Sequence, residues 1–562
     1  MRFFIGLIAA IFLYAPAHAQ NDQIQFGPPP EWVVPSPLID VPNDASGLVY
    51  IRRQDSLVHF VERGQLHYLG YRYKLLHSNA LQLGNLSIVW KPESGAPTVH
   101  AIKIHRDGTT IDALPDISFE ILRREDQLEL AMLDGFLTAI ARIPDLRVGD
   151  ELELSYTTPI SDPTLGNSGA GILLLQSGPA LGQIRLGLSW AEGEKPNIQL
   201  TDDMTDVAKR GVRAIDFSFE NPESRTPPKD APPRFNWQRL VEFSDFSEWE
   251  EISQRFSQYY RDAATLKVNS PLLKEAQQIA AAHDNDFNRA NAALNLVQQN
   301  VRYIYVGLDT GNLVPATAEE TWQRRYGDCK GKTALLLALL RALEIEAEPV
   351  MASNAGIDDG LDERLPNPGM FDHVLVRAKI DGKSYYLDGT LPAVVPPTTE
   401  PSYPYRWVLP INSQGASIEK LDWLPHREPN ELRLFEIDAR AGFGSPAKKT
   451  SIAITRGIKA LEEQIQFSGL APGQLLDVMR QSLIGDTWQE IDDVTWRFDE
   501  QAQASVLTII GNGLVDWDNN GGGGKSLALP GGGFNPPSKR IRAAADSKSI
   551  PYYNKPGFSV AM

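Results

Sequence analysis

The chain has 562 residues, of which 42% are hydrophobic and 22% charged, and its formal net charge is −17. These fractions are ordinary for a globular protein, and the length is enough for about three or four domains. The acidic balance argues against nucleic acid and anionic lipid as partners. A single cysteine excludes a disulfide framework and a cysteine-ligated zinc site.

The first residues have the pattern of an export signal. A short basic start, Met1-Arg2, precedes an apolar run from Phe3 to Tyr14, and Ala17-His18-Ala19 supplies small residues where a signal peptidase cleaves. We therefore predict a signal peptide over residues 1–19, cleaved before Gln20, with an uncleaved N-terminal anchor as the alternative. No later stretch reaches about 18 apolar residues, so the mature chain is expected in the periplasm or outside the cell, without a membrane span.

The regions on either side of the chain's centre have β-rich patterns. Residues 20–42 form a proline-rich lead-in, expected to be extended rather than packed. Residues 43–220 alternate polar and apolar positions between Gly, Asn and Asp turns, which predicts an N-terminal β-rich domain of the sandwich type. Five prolines in residues 221–240 predict a linker. Residues 401–562 are predicted to be a β-rich C-terminal region, with a mobile Gly-rich loop at 519–533.

The central region, residues 241–400, contains the only cysteine. Gly327-Asp328 predicts a turn, and the leucine-rich stretch from Lys330 to Leu343 predicts a buried helix. Cys329 therefore lies at a helix N-terminus, where free backbone N–H groups and the helix dipole favour a thiolate and can hold an oxyanion. The alternative is a buried cysteine that acts as a small apolar residue. An earlier helix has a capping-box pattern at its start, Ser247 with Glu250.

A thiolate nucleophile needs a base, and the base needs an orienting partner. Two of the nine histidines follow the cysteine, His373 and His426, and His426 lies beyond the hairpin that His373 opens. With a two-residue loop at Asp381-Gly382, Asp388 faces Leu375, two residues from His373 on the same strand. His373 and Asp388 are then diagonal neighbours on one face, within reach of a hydrogen bond. The alternative is a solvated histidine beside an unrelated aspartate.

The central motifs resemble a known family. "YGDCKGKTALLLALLRALEIEAEPV" (326–350), followed by "FDHVLV" and "YYLDGT", is similar to the transglutaminase-like superfamily, which has a papain-like cysteine fold. The residues that match its catalytic pattern are Cys329, His373 and Asp388. Upstream, "YKLLHSNALQLGNLSIVWKPESGAPTVHAIKIHRDGTTID" and "AIARIPDLRVGDELELSYT" (139–157) resemble the β-rich domain of unknown function that often precedes this core in bacterial envelope proteins. Together the resemblance covers about residues 45–400. Two positions depart from the family pattern: Gly331 stands where an acidic residue is frequent, and Gly389 where proline is frequent.

The resemblance implies an α+β fold, in which a papain-like transglutaminase core, a central helix packed on an antiparallel sheet, is flanked by β-sandwich-like N- and C-terminal domains. It also implies an exported enzyme that acts on amide bonds through a thioester, with hydrolysis favoured over cross-linking because nothing marks an amine pocket. The expected substrate is a peptide or protein amide, including those of the cell envelope, and no metal or organic cofactor is expected. The alternative is a catalytically inactive module that binds peptide or glycan in the envelope.

Overall fold

The structure is a computed structural model. The residues that it describes are 21–123, 136–166, 168–175, 181–223, 225, 227–304, 313–353, 358–393, 405–421, 428–471, 473–485, 488–520, 524–527, 550–552 and 559–561. The predicted signal peptide, His426 and most of the predicted Gly-rich loop lie outside them. The described residues divide into two compact units: residues up to 225 with 239–245 form the first, and 227–238 with those from 246 onward form the second.

The first unit is built almost entirely of strands, as the alternating sequence predicted. Its elements are β1 (Gln25–Phe26), β2 (Val49–Val61), β3 (Gly64–Leu75), β4 (Asn85–Trp90), β5 (Thr98–Arg106), β6 (Thr109–Asp112), β7 (Glu120–Arg123), β8 (Leu137–Arg142), β9 (Glu151–Ile160), β10 (Ala170–Leu174), β11 (Gly182–Trp190), β12 (Asn197–Leu200), α1 (Asp202–Thr205), β13 (Ala208–Arg210), β14 (Ala214–Glu220) and β15 (Leu240–Ser244).

These strands form one large sheet and two small ones among the described residues. The large sheet has the order β1-β5-β9-β3-β2-β11-β14-β13, with β6 on β5, and the small sheets are β4-β8-β7 and β10-β15-β12. Two separate apolar clusters fill the space beside the large sheet. One contains Phe60, Phe217 and Phe243, and the other contains Trp90 and Leu152. Sheet-on-sheet packing of this kind is that of a β-sandwich.

The lead-in is extended, as predicted, but it is packed, which corrects the expectation of a free segment. Strand β1 pairs with β5 in parallel. Val33 is buried against Leu57, and the backbone N–H of Ser36 donates to Oδ2 of Asp55 at 3.0 Å. Asp55 is itself fully buried in β2. The segment can pack because polar side chains of the sheet satisfy its backbone groups, which an extended chain cannot satisfy internally.

The second unit begins with helices and continues into the central sheet. Its elements up to residue 421 are α2 (Trp249–Ala263), α3 (Pro271–Ala282), α4 (Asp286–Asn300), β16 (Arg302–Tyr303), α5 (Ala318–Arg324), β17 (Tyr326–Gly327), α6 (Cys329–Ala342), β18 (Glu346–Ala352), β19 (His373–Ile380), β20 (Lys383–Leu387), β21 (Trp407–Pro410) and β22 (Glu419–Lys420).

The start of α2 differs from the predicted capping box. The helix begins at Trp249, and its N-cap residue, Glu248, makes no side-chain cap bond. Glu251 instead accepts a hydrogen bond from the backbone N–H of Ser247 at 3.1 Å. A reciprocal capping box does form at α5, between Thr317 and Glu320.

Helix α6 packs on an antiparallel sheet with the order β20-β19-β18-β21-β22 among the described residues. Every residue from Cys329 to Leu340 is buried, so this helix is surrounded on all sides. The predicted core boundary at residue 400 falls inside the sheet, because β21 pairs with β18 and fills a central position. The boundary at 240 also moves, since β15 pairs within the first unit.

The described part of the C-terminal region is β-rich and includes two helices. Its elements are β23 (Glu431–Asp438), β24 (Ala447–Arg456), α7 (Ile458–Ser468), α8 (Gln474–Leu483), β25 (Glu490–Asp499), β26 (Ala504–Gly513), β27 (Asp518–Asn520), β28 (Gly524–Ser526) and β29 (Ser559–Ala561). Leu476 and Met479 of α8 pack on Ile491 of β25 and Ile509 of β26. The predicted α+β class, with a central core and β-rich flanks, is confirmed. No helix in the described part of the chain is both long and apolar enough to cross a bilayer.

Candidate active site

The cysteine lies where the sequence predicted it, at the first residue of the buried helix. Asp328 is the N-cap of α6, and its Oδ1 accepts a hydrogen bond from the backbone N–H of Gly331 at 2.8 Å. Its Oδ2 pairs with Nζ of Lys330 at 2.5 Å, and that lysine is fully buried. Both oxygens of the cap are therefore used to fix the turn that carries Cys329, which has no exposed surface.

The structure explains one departure from the family pattern, the glycine two residues after the cysteine. A Cβ at Gly331 would lie 2.8 Å from Oγ1 of Thr321, which belongs to α5. Thr321 is 1% exposed, so it has little room to move. Helix α5 approaches the start of α6 so closely that this position accepts glycine without a rearrangement, whereas an acidic side chain would require one.

His373 and Asp388 meet as the hairpin register predicted. Strands β19 and β20 pair Ile380 with Lys383 and Val376 with Leu387. Nε2 of His373 lies 2.8 Å from Oδ2 of Asp388, and both side chains are 2% exposed.

The second ring nitrogen of His373, Nδ1, does not take part in the contact with Asp388. Among the described residues, Nδ1 has no hydrogen bond of regular geometry. Burial alone would lower the pKa of His373, but the charge and hydrogen bond of Asp388, followed by hydrogen bonding and charge from Cys329, raise it well above the usual range. An ionised Asp388 accepts from Nε2–H, so Nδ1 is the atom that can take a proton from the thiol. Catalytic hydrogen bonds are frequently loose in resting enzymes.

Asp388 is held by four donors. Besides His373, its carboxylate accepts from the backbone N–H of Thr390 at 2.8 Å, from the Thr390 hydroxyl at 2.6 Å and from the Tyr405 hydroxyl at 2.7 Å. Burial would raise the pKa of Asp388, but the charge of His373 and these hydrogen bonds hold it well below the ordinary value. The carboxylate is therefore ionised at neutral pH.

Sequence reasoning missed Tyr405. It precedes β21, is 3% exposed, and its ring stacks on the imidazole of His373 with centroids 5.8 Å apart and planes 21° apart. Its hydroxyl donates to the oxygen of Asp388 that also accepts from His373. The available signal was the short apolar run "WVLP", which begins two residues after it and is typical of a buried central strand.

Two further buried polar groups near the site were also missed. Lys332 is 2% exposed, and its ammonium donates to the backbone carbonyl of Val301. Burial lowers the pKa of Lys332 to about 8, against the opposing effect of the Asp388 charge. Tyr260 of α2 is 1% exposed, and its hydroxyl has no hydrogen-bond partner among the described residues. Burial, then the charges of Cys329 and Asp328, raise the pKa of Tyr260 well above its usual value.

Two family models match the chain. Residues 274–387 match the model of the transglutaminase-like superfamily. The core is transglutaminase-like. Residues 65–222 match DUF3857, a domain of unknown function with a solved structure, which corresponds to the β-rich domain that the sequence resembled upstream. The match to the transglutaminase-like core includes Cys329 and His373 and ends one residue before Asp388.

Solved structures with this fold include a putative protease from Parabacteroides distasonis. It is 13% identical, with a TM-score of 0.51, and the match covers 84% of this chain and 94% of that one. A likeness at this identity shows the fold alone.

Two further structures were found. A putative cysteine protease from Cytophaga hutchinsonii is 14% identical over 58% of this chain and 75% of that one, with a TM-score of 0.18. The periplasmic domain of TgpA from Pseudomonas aeruginosa, bound to ethylmercury, is 14% identical over 52% of this chain and 89% of that one, with a TM-score of 0.17. No protein with a curated description matches the chain.

Proposed function

We propose that this protein is an exported cysteine enzyme that cleaves amide bonds of peptides or proteins through a thioester. The nucleophile is Cys329, the base is His373, and the orienting carboxylate is Asp388. The observation that carries the proposal is the 2.8 Å contact from Nε2 of His373 to Asp388, which leaves Nδ1 for the thiol at the start of α6. A nucleophile, a base and a third group that orients the base are the side chains that a catalytic triad uses for acyl transfer.

Acylation uses each group in turn. Nδ1 of His373 takes the proton of the Cys329 thiol, and the sulfur forms a bond to the carbonyl carbon. The carbonyl oxygen becomes an oxyanion, which we assign to the backbone N–H of Cys329, because those of Gly331 and Lys332 already donate to Asp328. The oxyanion then collapses, the C–N bond breaks, and the imidazolium returns its proton to the leaving amine, which leaves a thioester.

Deacylation repeats these steps with water. His373 takes a proton from water as its oxygen attacks the thioester carbon, and the C–S bond breaks. The sulfur leaves and recovers its proton from the imidazolium, which restores the resting site and releases a carboxylic acid. We favour hydrolysis of the thioester over transamidation, because water needs no binding site of its own, whereas an acceptor amine does.

The first test is the reactivity of the thiol. Because the chain has one cysteine, alkylation by iodoacetamide reports Cys329 alone. The wild-type protein should be labelled well below neutral pH, since a thiolate–imidazolium pair forms only where both groups face each other. His373→Ala should move the labelling midpoint upward by at least about one pH unit. His283→Ala, a change at the end of α3, is the matched control and should leave the profile unchanged.

The same experiment separates the enzyme from an inactive binding module. A module that binds peptide or glycan has no use for an activated thiol, so its cysteine should react slowly and only at alkaline pH. If the wild-type protein behaves in this way and His373→Ala has no effect, the catalytic proposal is wrong. An electrophilic amide-mimetic probe, compared between wild type and Cys329→Ala, then extends the test from reactivity to substrate chemistry.

Export is part of this proposal. It rests on the Ala17-His18-Ala19 pattern after the apolar run, and the residues concerned lie outside the described structure. Mass spectrometry of the protein recovered from the periplasm or medium should give Gln20 as the first residue. Recovery of an intact Met1 from the membrane fraction would contradict it.

A further inference from the structure

We infer that Tyr405 is a positioning residue of the triad, which holds the imidazole plane of His373 and limits how strongly Asp388 stabilises the imidazolium. This inference rests on the proposed function, because it concerns the same thiol and the same base. Two separate contacts of one side chain carry it, a ring contact and a hydroxyl contact, and the hydroxyl contact can be removed while the ring contact stays.

The ring contact fixes the plane of the base. The rings of His373 and Tyr405 are 5.8 Å apart and nearly parallel, and both side chains are buried. Rotation of the imidazole about its Cβ–Cγ bond would exchange the positions of its edges and turn Nδ1 away from Cys329. A flat neighbour on one face opposes that rotation, and the bond from Nε2 to Asp388 opposes it at the ring edge.

The hydroxyl contact affects how strongly Asp388 stabilises the protonated form of His373. Oδ2 of Asp388 accepts from Nε2 of His373 at 2.8 Å and from the Tyr405 hydroxyl at 2.7 Å. Two donors on one oxygen share its negative charge, so each bond is weaker than it would be alone. With the hydroxyl in place, Asp388 stabilises the imidazolium less, and His373 releases its proton more readily to a leaving amine.

Other groups that face the pair stay in place when Tyr405 is changed. Thr390 donates twice to Oδ1 of Asp388, so the carboxylate remains anchored without the tyrosine. Among the described residues, the charge of Asp388 acts on Lys332 at the start of α6, and the charges of Cys329 and Asp328 act on Tyr260 of α2. A change in titration after substitution of Tyr405 can therefore be assigned to the lost hydroxyl.

The test uses iodoacetate, an anionic alkylating reagent, with the full-length exported chain. Its rate with Cys329 should be bell-shaped in pH, because the reaction needs the thiolate and the imidazolium attracts the reagent's carboxylate. The lower midpoint reports formation of the pair, and the upper midpoint reports loss of the imidazolium proton. The variants are Tyr405→Phe, which keeps the ring, and Tyr405→Leu, which loses both contacts. Tyr385→Phe, on β20 against Phe287, is the matched control.

For Tyr405→Phe we expect the upper midpoint to rise by about half a pH unit or more, with the lower midpoint and plateau rate nearly unchanged. For Tyr405→Leu the upper midpoint should rise similarly, and the plateau rate should fall by about fivefold or more, because the imidazole is no longer held in plane. Tyr385→Phe should match the wild-type protein. Tyr405→Phe should therefore keep the wild-type plateau rate that Tyr405→Leu loses, while its upper midpoint stays shifted. A residue with a merely structural role would not separate these two quantities.

Two results would overturn the inference while the proposed function stands. One is a bell-shaped wild-type profile whose upper midpoint is the same in Tyr405→Phe. The other is a downward shift of that midpoint, which would mean that the hydroxyl strengthens the imidazolium. A wild-type profile with no upper limb, together with no effect of His373→Ala, would instead remove the proposed function and the inference with it.

Discussion

The Nε2 atom of His373 lies 2.8 Å from Oδ2 of Asp388, although the ladder between their strands stops one residue short of the aspartate. Strand β20 ends at Leu387, so Asp388 is the first residue after the strand, and its side chain contacts His373 from there. The backbone N–H and hydroxyl of Thr390 bind its second oxygen and replace the ladder as the source of rigidity. The turn after the strand therefore orients the carboxylate, while the hairpin brings it to the histidine.

Replacement of Asp388 by asparagine should weaken the proposed base, His373, and destabilise the fold. The carboxylate raises the pKa of His373, so without it the imidazolium should lose its proton at a lower pH. The upper midpoint of iodoacetate labelling should fall by more than about one unit. The amide also presents an N–H₂ group to donors, so the free energy of unfolding should fall by roughly 3 kcal/mol. Asp381→Asn, in the exposed hairpin turn, should change neither quantity.

The buried Lys332 should lower the free energy of unfolding by an amount that depends on pH. Its pKa is about 8 in the folded state, below its ordinary value of 10.5. Between these pH values the unfolded chain binds a proton that the folded chain does not, so the wild-type protein gains stability as the pH rises through this window. Below pH 8 the full penalty applies. The stability of Lys332→Met relative to wild type should therefore decrease by about 3 kcal/mol from pH 7.5 to pH 10.5.

Urea denaturation at several pH values measures this difference. Lys379→Met, an exposed position on β19, is the control and should show a difference that does not vary with pH. A constant difference for Lys332→Met would mean that the lysine stays charged in the folded protein throughout this pH range.

The close approach of α5 to α6 predicts a coupling between Gly331 and Thr321. Alanine normally stabilises a helix by about 0.5–1 kcal/mol relative to glycine. Here its Cβ would meet the Thr321 hydroxyl oxygen at 2.8 Å, so Gly331→Ala alone should not stabilise. In the background of Thr321→Ala the conflict is absent. A double-mutant cycle should therefore give a favourable coupling of at least about 1 kcal/mol, and additive effects would contradict the packing described.

The Tyr260 hydroxyl should be a cost to stability. It is buried and has no hydrogen-bond partner among the described residues. Tyr260→Phe removes the unsatisfied group and keeps the ring, so the free energy of unfolding should rise by about 1 kcal/mol. Tyr259→Phe, one residue earlier on the same helix, should change stability by less than about 0.5 kcal/mol. A loss of stability in Tyr260→Phe would mean that the hydroxyl has a partner in solution.

Much of the site follows from short-range patterns. The buried helix at Cys329 is visible because leucines surround it, and the pairing of His373 with Asp388 follows from one Asp-Gly turn. Both depend on contacts within a single motif, where spacing fixes geometry. The role of Thr390 could have been read from the "DGT" tripeptide, because an aspartate frequently binds the backbone N–H two residues on.

The contacts that could not be predicted link distant parts of the chain. The Tyr405 hydroxyl donates to Asp388. The sequence between these two residues has no pattern from which their closeness in space could be predicted. Lys332 has a charged side chain on a helix that is buried all round, and only the structure shows the Val301 carbonyl that accepts from it. The core boundary was set too early for the same reason: the strand at Trp407–Pro410 is a neighbour of β18 in space but not in sequence.

The late position of that strand has a consequence for biosynthesis. The ribosome makes α6, β18, β19 and β20 first, and all three side chains of the proposed triad are present once Asp388 has emerged. At that moment β18 still lacks its partner β21 on one edge, and Asp388 lacks the Tyr405 hydroxyl. The thiol is therefore incompletely enclosed in every nascent chain that ends before about residue 410, and a polypeptide released or cleaved there carries the proposed nucleophile without its finished surroundings.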